Sequence, residues 1–584
     1  MRTIMGGELP EGGFANVTAD NLPTRGASRG DFDERPSAVS RWIAELPLAN
    51  VAETTRQLRR TLRLLHGMGV APGRRLSVLE QLYPVIDQAV TGLRREYLHH
   101  AFPLPERAQR AAELARQLRE EQVRGYRLVL ATGSRWGGIR RSTWQAALAA
   151  VARCTSEYLL ECWLLYEQPA TGSWRLLHAS RTLALRHGLT GRRPRMGRES
   201  RSIDEIYLQT LLTAAAGPYR MLRSEVLRAY RILGPCAHRA RLLTTPSEGR
   251  ERACYMIDRS SDAGPRPLLQ THESSDEGHH YILTTAVATH LVEQSRGRGM
   301  LRWRRRPPAA DQQLMQSLAA AYGAPPRRGY QRSRTHARAI VIVGLNHIHR
   351  TLASENDGGS PAPSTFRSRE IQAEGSEGSD VWNLIYPSET LARLRAGLLV
   401  ESRPPIPRDE DRIENFWHLV NLSAGGYCLL GGTETRSRAQ VGEPVLVSEI
   451  SGDNEAPWQL GVIRWHRRTA GSTGEIGVQV IAPTPHPVYT QPEQGDGRLS
   501  APCRSLLVPA VRATRQPLTL MTPSLHYRAG GRVYLRGPAQ AGMLVLTREL
   551  ERTTGFGQYA FERVLNPLED GAGLDQADPL PTRP

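Results

Sequence analysis

The sequence predicts a multidomain α+β protein, with an all-α N-terminal half, a small β-barrel in the C-terminal part and a second small β-barrel-like domain after it. The chain has 584 residues, which is room for about three or four domains of ordinary size. Between residues 40 and 235, apolar residues recur at the spacing of an α-helix. After residue 399 they alternate with polar residues in short runs separated by turn-forming residues, which is typical of antiparallel strands.

The N-terminal half is predicted to be helical from its apolar spacing and its capping residues. Leu58, Leu62 and Leu65 fall on one face of a helix. Asn50 is a suitable N-cap for that helix, with Glu53 three residues later. Further helices are predicted at 111–122, 142–166 and 203–233. We therefore expect a helical domain at 40–235, preceded by a disordered tail at 1–38.

The segment 236–353 is predicted to be a mixed, basic linker domain, and a flexible loop follows at 354–380. Within the linker domain, residues 339–345 predict a buried strand. Residues 296–338 contain eleven arginines against one acid, Asp311, with Trp303 and Tyr330 among them. Such a segment can bind nucleic acid through phosphate contacts and stacking, but a solvated helix and linker is the favoured interpretation.

The C-terminal part is predicted to form two groups of short strands. The first group lies within 399–490 and consists of the runs 416–420, 427–430, 445–447, 458–465 and 476–481. The second group lies within 498–565 and consists of the runs 505–508, 518–521, 532–535, 543–546 and 559–564. Short strands at such even spacing favour barrels. The Pro- and Asp-rich residues 566–584 predict a disordered tail.

The charged residues exclude several classes of enzyme. The net charge is +18 and the sequence contains no lysine, so all 76 cationic side chains are arginine. A chain without lysine has no P-loop lysine, no kinase strand lysine and no Schiff base with pyridoxal phosphate. Gly-x-Ser-x-Gly and His-Glu-x-x-His motifs are also missing from the sequence. We therefore predict that the chain is not an enzyme and uses no cofactor.

The cysteines and histidines predict neither a disulfide framework nor a metal site. The six cysteines contain no Cys-x-x-Cys pair and stand in apolar segments, so we expect buried free thiols. His347 and His349 have the spacing of a metal-binding pair but no cysteine or carboxylate at ligand spacing. No apolar run approaches the roughly 18–20 residues that span a bilayer, and the first residues lack the apolar block of a signal peptide. A cytoplasmic location is the expectation.

One short stretch, 417–430, carries the strongest functional signal. It predicts a strand, a tight polar turn and a second strand, and the turn has the form Asn-x-Ser-x-x-Gly with Asn421, Ser423 and Gly426. Alone, this string is also compatible with an ordinary β-turn. Two further strand-like runs follow it in order, 461–465 and 476–480.

This ordered set resembles the PilZ domain, a small bacterial β-barrel that binds cyclic-di-GMP, over residues 400–490. The resemblance implies that Asn421, Ser423 and Gly426 form one of the two ligand motifs of that family. The other motif is Arg-x-x-x-Arg ahead of the barrel, and Arg408 and Arg412 have that spacing. The resemblance also implies a cytoplasmic effector that converts nucleotide binding into a conformational or protein-contact output. Motility, surface attachment or biofilm formation would be controlled, with a protein of a pilus or motility apparatus as partner.

The arginine motif departs from the family pattern. Arg412 precedes Asn421 by only 9 residues, whereas a strand usually separates the two motifs in the family. Three acids, at 409–411, also stand between Arg408 and Arg412 and would repel an anionic ligand. Other arginines close in sequence are Arg367, Arg369, Arg393, Arg395 and Arg403.

Two alternatives and one further residue stay open. The first alternative is a ligand-free PilZ-like adaptor that acts by protein contact, and the second is a nucleic-acid-binding regulator that uses residues 296–338. Strand alternation places Arg464 on the face opposite Ile463 and Trp465. Arg464 can therefore contact the ligand or be an ordinary outer-face arginine, while Gly477 and Gln479 are predicted to be structural.

Overall fold

The computed structural model of the chain describes residues 3–4, 32–135, 139–193, 201–244, 254–268, 279–297, 307–323, 333–334, 337–356, 416–423, 425–431, 439–451, 454–468, 474–495, 497–511, 517–537 and 541–564. These residues form a helical N-terminal part followed by two closed β-barrels, which confirms the predicted fold class.

The helices of the described residues are α1 Pro36–Ala44, α2 Val51–Gly67, α3 Pro72–Tyr97, α4 Glu106–Arg135, α5 Arg141–Leu164, α6 Ser173–Arg186, α7 Ile203–Ala215, α8 Arg223–Cys236, α9 Thr285–Ser295, α10 Ala309–Gly323 and α11 Leu345–Asn356. Two short strands, β1 (Thr3–Ile4) and β2 (Ile139–Arg140), pair with each other. Within the described ranges, none of these helices combines the length and the apolar content that crossing a membrane requires.

The first helices form as the sequence predicts. Asn50 caps α2 by accepting a hydrogen bond from the backbone N–H of Glu53 at 3.1 Å. Leu58, Leu62 and Leu65 are all fully buried on the inner face of that helix. The single helix expected at 203–233 is instead two helices, α7 and α8, because Gly217 adopts a φ of +75° just before Pro218.

Buried ion pairs connect the long helices α3, α4 and α5. The fully buried Glu161 of α5 accepts hydrogen bonds from Arg94 and from the hydroxyl of Tyr97, both on α3. On α4, the buried Arg119 pairs with Glu157 of α5 at 2.9 Å and with Asp87 of α3 at 2.6 Å. Since a buried charge is tolerated only with a partner, these pairs fix the relative positions of the three helices.

The segment after α8 extends the helical domain instead of leaving it. Four strands, β3 (Arg241–Leu243), β4 (Cys254–Asp258), β5 (Arg266–Pro267) and β6 (His279–Leu283), form a sheet in the order β3–β6–β4–β5. Ile257 and Ile282 of this sheet, Val287 of α9 and Leu318 of α10 are buried in the same core as the helices before them. The sheet, α9 and α10 therefore belong to the N-terminal core.

The first barrel is built from β8 (Arg338–Val343), β9 (Phe416–Ser423), β10 (Gly426–Gly431), β11 (Pro444–Ser451), β13 (Gln459–Arg467) and β14 (Glu475–Pro483), and two short strands, β7 (Ser333–Arg334) and β12 (Asn454–Glu455), pair at its side. The ring runs β8–β9–β10–β14–β13–β11 and closes where β11 pairs with β8. Strand β7 pairs with β9, and β12 pairs with β11.

Strand β8 lies far from its partners in the sequence. The sequence predicts a buried strand there, but within the linker domain 236–353 and ahead of a barrel at 399–490. In the structure Ala339 and Val341 are buried in the barrel core, and β8 pairs with both β9 and β11. The barrel therefore takes its first strand from before α11, and residues 344–415 stand between its first two strands.

The second barrel begins at His486, ahead of the expected boundary at 498. Its strands are β15 (His486–Pro492), β16 (Cys503–Val508), β17 (Thr519–Thr522), β18 (Arg532–Arg536), β19 (Ala541–Arg552) and β20 (Gly557–Arg563). The ring runs β15–β16–β17–β20–β19–β18 and closes between β18 and β15. Its interior is apolar and includes Val488, Leu520, Leu544 and Tyr559.

An apolar core joins the two barrels. Leu345, Ile348 and Leu352 of α11 are buried there against outer-face residues of both barrels, such as Leu460 of β13 and Leu506 of β16. His347 and His349 also lie on α11. The described residues contain no group of three or more His, Cys, Asp or Glu side chains that could hold a metal ion.

Four of the cysteines, Cys154, Cys162, Cys236 and Cys428, are free and buried, as predicted, whereas Cys503 is half-buried.

A separate aromatic cluster joins the helical domain to the first barrel. Phe102, which precedes α4, stacks on His466 of β13 with ring centroids 5.3 Å apart, and Tyr166 lies 5.0 Å from the same imidazole. The guanidinium groups of Arg223 and Arg468 each lie 4.7 Å from the Phe102 ring centroid. Backbone hydrogen bonds reinforce the contact, since the N–H of Arg468 donates to the Tyr166 carbonyl at 2.7 Å. Strand β13 is thus held directly by the helical domain.

This cluster is expected to weaken in acid. Burial, together with the charges of Arg468 and Arg223, lowers the pKa of His466 from 6.5 to about 3. The unfolded chain protonates this imidazole at a higher pH than the folded chain does. The contribution of neutral His466 to the free energy of unfolding is therefore complete above pH 6.5 and is lost as the pH falls toward 3. Relative to His466→Phe, the wild type should lose about 2 kcal/mol of unfolding free energy between pH 7.5 and pH 5. Denaturant titrations at several pH values measure this difference, and parallel pH profiles of the two proteins would contradict it.

Candidate functional site

The motif residues lie where β9 turns into β10. Ser423 pairs with Gly426 across the turn, and the Ser423 hydroxyl donates a hydrogen bond to the Gly426 carbonyl at 3.3 Å. Asn421 pairs with Cys428, two positions further from the turn. The predicted strand, polar turn and strand are therefore confirmed, with Asn421 and Ser423 half-buried at one end of the barrel.

Gly426 is required by a close approach of two backbones. Its φ is +156°, and a Cβ placed on it would overlap the carbonyl oxygen of Val478 and lie 3.0 Å from its carbonyl carbon. No side chain larger than hydrogen fits between β10 and β14 at this position. The glycine of the motif thus allows the pairing that aligns Ser423, Gly426 and Gln479 in one row across three strands.

These residues share the outer face of the barrel. Leu422, Tyr427 and Val478 contribute to the interior core, so the residues next to them in the strands point outward. Ser423, Gly426 and Gln479 therefore form one outer row. The next row contains Asn421, Cys428, Gly477 and Trp465.

Trp465, which is not among the predicted site residues, covers this second row. A register shift between Ile463 and Trp465 interrupts the alternation of β13, so Ile463 faces the core while Trp465 pairs with the outward Gly477. A Cβ on Gly477 would overlap the indole, with Cδ1 of Trp465 at 2.5 Å. The expectation that Ile463 and Trp465 share a face is wrong because of this bulge. The available signal was Gly477 itself, since a glycine inside a strand marks a close approach.

Arg464, the bulged residue, lies on the outer face between the two barrels. Its Nε donates to Oε1 of Gln479 at 2.7 Å, and its Nη2 donates to Oε2 of Glu551 at 2.9 Å. Nη1 of the same guanidinium binds the other oxygen of Glu551. Glu551 belongs to β19 of the second barrel, so Arg464 connects the face that carries the motif to a different domain.

The arginine motif cannot be placed in the same way. Arg408 and Arg412 lie outside the described residues, as do Arg367, Arg369, Arg393, Arg395, Arg403 and eight of the eleven arginines of the basic segment 296–338. A further arginine, Arg334 of β7, stands beside the motif by backbone register, because it pairs with Asn421 of β9.

Three parts of the chain are similar to the family models for the domains of one receptor. Residues 37–247 match the family model "Cyclic-di-GMP receptor FimW, N-terminal domain", residues 406–487 match the "middle PilZ domain" of the same receptor, and residues 488–564 match the "FimW C-terminal beta-barrel domain". The chain is also 25% identical to the cyclic-di-GMP receptor FimW of Pseudomonas aeruginosa over 559 residues, which cover 91% of this chain and 90% of the relative. No solved structure matches significantly.

Proposed function

We propose that this chain, which belongs to the PilZ-domain family, binds cyclic-di-GMP on the outer face of its first barrel and acts as an effector. The observation that carries the proposal is the placement of Asn421, Ser423 and Gly426 together on that face, within the residues that match a PilZ domain. The receptor in Pseudomonas aeruginosa, which resembles this chain along nearly its whole length, is named for the same ligand.

The chemistry of the face suits a guanine dinucleotide. The Asn421 amide can bond the polar edge of a guanine, and the Ser423 hydroxyl adds a short-range hydrogen bond. The half-buried indole of Trp465 offers a flat surface on which a base can stack. Arginine forks match both the phosphates and the O6 and N7 acceptors of guanine. In this proposal Arg464 contributes from β13, across the intervening strand β14.

The main ligand arginines are proposed from the sequence. Arg408 and Arg412 remain the first candidates, since they have the spacing of the family motif. Because the barrel begins at β8, the segment directly ahead of that strand is a second candidate, and Arg328 and Arg332 have the same spacing there. Paired alanine variants of each set, titrated with the ligand, would show which pair binds it.

Ligand binding on this face would act through domain contacts. The output proposed is a conformational change passed to a protein partner in the cytoplasm, in the control of motility, surface attachment or biofilm formation, with a pilus apparatus as the candidate partner. We propose no enzymatic step, since the family acts by binding.

Calorimetric titration with cyclic-di-GMP tests the proposal. The wild type should bind, and Asn421→Ala should bind at least about fivefold more weakly, because a specific hydrogen bond to a base edge is worth on the order of 1–3 kcal/mol. Asn346→Ala, at an exposed position of α11, is the control and should bind like the wild type.

Absence of binding by folded wild type would contradict the proposal. The barrel would then be a protein-contact module without a ligand, and a partner pull-down would become the informative experiment.

A further inference from the structure

The ion pair between Arg464 and Glu551 is a polar link between the barrels, on the outer face of the first barrel that also carries Asn421, Ser423 and Gly426. Both oxygens of Glu551 bind the guanidinium of Arg464, and the two side chains are 27% and 34% exposed, respectively. The pair is thus neither sealed in a core nor fully solvated, and a solute can reach it. Arg464 also donates to Gln479, which pairs with Gly426 of the motif.

Glu551 fills the guanidinium fork of Arg464, a fork that could otherwise bind an anionic ligand group. An arginine fork binds a carboxylate and a phosphate in the same bidentate geometry. A cyclic dinucleotide has two phosphates, so a ligand lying on the outer rows brings phosphate oxygens toward a guanidinium that already holds a carboxylate. The negative charge of Glu551 also opposes the approach of that ligand.

We propose that Glu551 of the second barrel is an internal competitor of the ligand at Arg464, and that ligand binding transfers Arg464 from Glu551 to a phosphate. The proposal rests on the proposed function. It gives the second barrel a role in sensing, because its strand β19 loses a contact when the ligand arrives. The helical domain keeps its own contact with β13 through His466 and Arg468. The conformational change caused by the ligand is therefore directed to the second barrel.

Loss of the ion pair should not separate the barrels. The apolar core around α11 joins them independently, with Leu345, Ile348 and Leu352 buried between them. A half-exposed ion pair contributes at most about 1 kcal/mol, so a neutral variant keeps the fold. Glu551→Gln preserves the shape of the side chain and removes only its charge.

The test is a titration of five folded proteins with cyclic-di-GMP, namely the wild type, three single variants and one double variant. Glu551→Gln should bind about fivefold more tightly than the wild type, which corresponds to release of an ion pair worth about 1 kcal/mol. Glu549→Gln is the matched control, because Glu549 lies on the same strand and pairs with Arg552 at 2.7 Å instead of with Arg464. In an Arg464→Gln background, Glu551→Gln should not change the affinity for cyclic-di-GMP, since Glu551 then has no guanidinium to bind.

The outcomes separate this proposal from the proposed function. If the wild type binds but Glu551→Gln binds equally well or more weakly, the competitor role is overturned and ligand binding by the barrel stands. If no variant binds, both proposals fail. Hydrogen exchange gives a second readout. Ligand should speed exchange in 541–552 of the wild type and not in Arg464→Gln, and unchanged exchange in the wild type would also overturn the role.

Discussion

Gly426→Ala is expected to destabilise the first barrel by about 3 kcal/mol or more and to abolish ligand binding. The added Cβ would overlap the Val478 carbonyl oxygen, and the backbone of neither β10 nor β14 can move away without losing their pairing. Ser423 and Gln479 would then no longer share a row with residue 426. Denaturant unfolding and calorimetric titration measure the two effects.

Gly542→Ala is a matched control for this substitution. Gly542 of β19 has nearly the same φ, +155°, but a Cβ there would have nothing within 4 Å. The control therefore measures only the strain of holding alanine at this positive φ, which lowers the free energy of unfolding by about 1 kcal/mol or somewhat more. Equal destabilisation by the two substitutions would show that the close approach to Val478 is not what requires the glycine.

Phe102→Ala is expected to uncouple the helical domain from the first barrel. Phe102 is 3% exposed and contacts His466, Tyr166 and two guanidinium groups. Its truncation should therefore lower the free energy of unfolding by about 3–5 kcal/mol. Most of that loss falls on the contact between domains. Calorimetric unfolding should therefore separate into two transitions, one for each part of the chain.

Phe32→Ala provides the comparison. Phe32 is 6% exposed and contacts Trp42 at 5.8 Å within the helical domain, so its truncation lowers the stability of that domain without touching the barrel. If Phe102→Ala and Phe32→Ala gave the same calorimetric profile, the aromatic cluster would not be what couples the domains.

Elements determined by short-range contacts were predictable from the sequence. The cap at Asn50 and the buried face of α2 depend on residues within one helix, and the turn at Asn421 and Ser423 depends on one hairpin. Strand β8 was recognised as buried but not as part of the barrel, because Ala339 pairs with Glu449, far along the chain. Apolar content reveals burial, whereas the identity of the partner strand depends on long-range packing.

The candidate site was predicted only in part, for similar reasons. Trp465 was missed because the bulge at Arg464 changes which face the next residue occupies, and alternation in the sequence contains no sign of it. Glu551 was missed because it reaches Arg464 from another domain. The assignment of Arg408 and Arg412 stays a prediction, since both lie outside the described residues.

The distant origin of β8 determines which fragments of this chain are usable. A fragment beginning at residue 399 would contain β9 and β11 but not the strand between them. Both strands would then present a row of unpaired N–H and C=O groups, and such open sheet edges promote aggregation between chains. An isolated barrel therefore has to start at or before Arg338. During synthesis, β8 has to remain without its partners until β9 and β11 have been made, which favours slow, late closure of this domain.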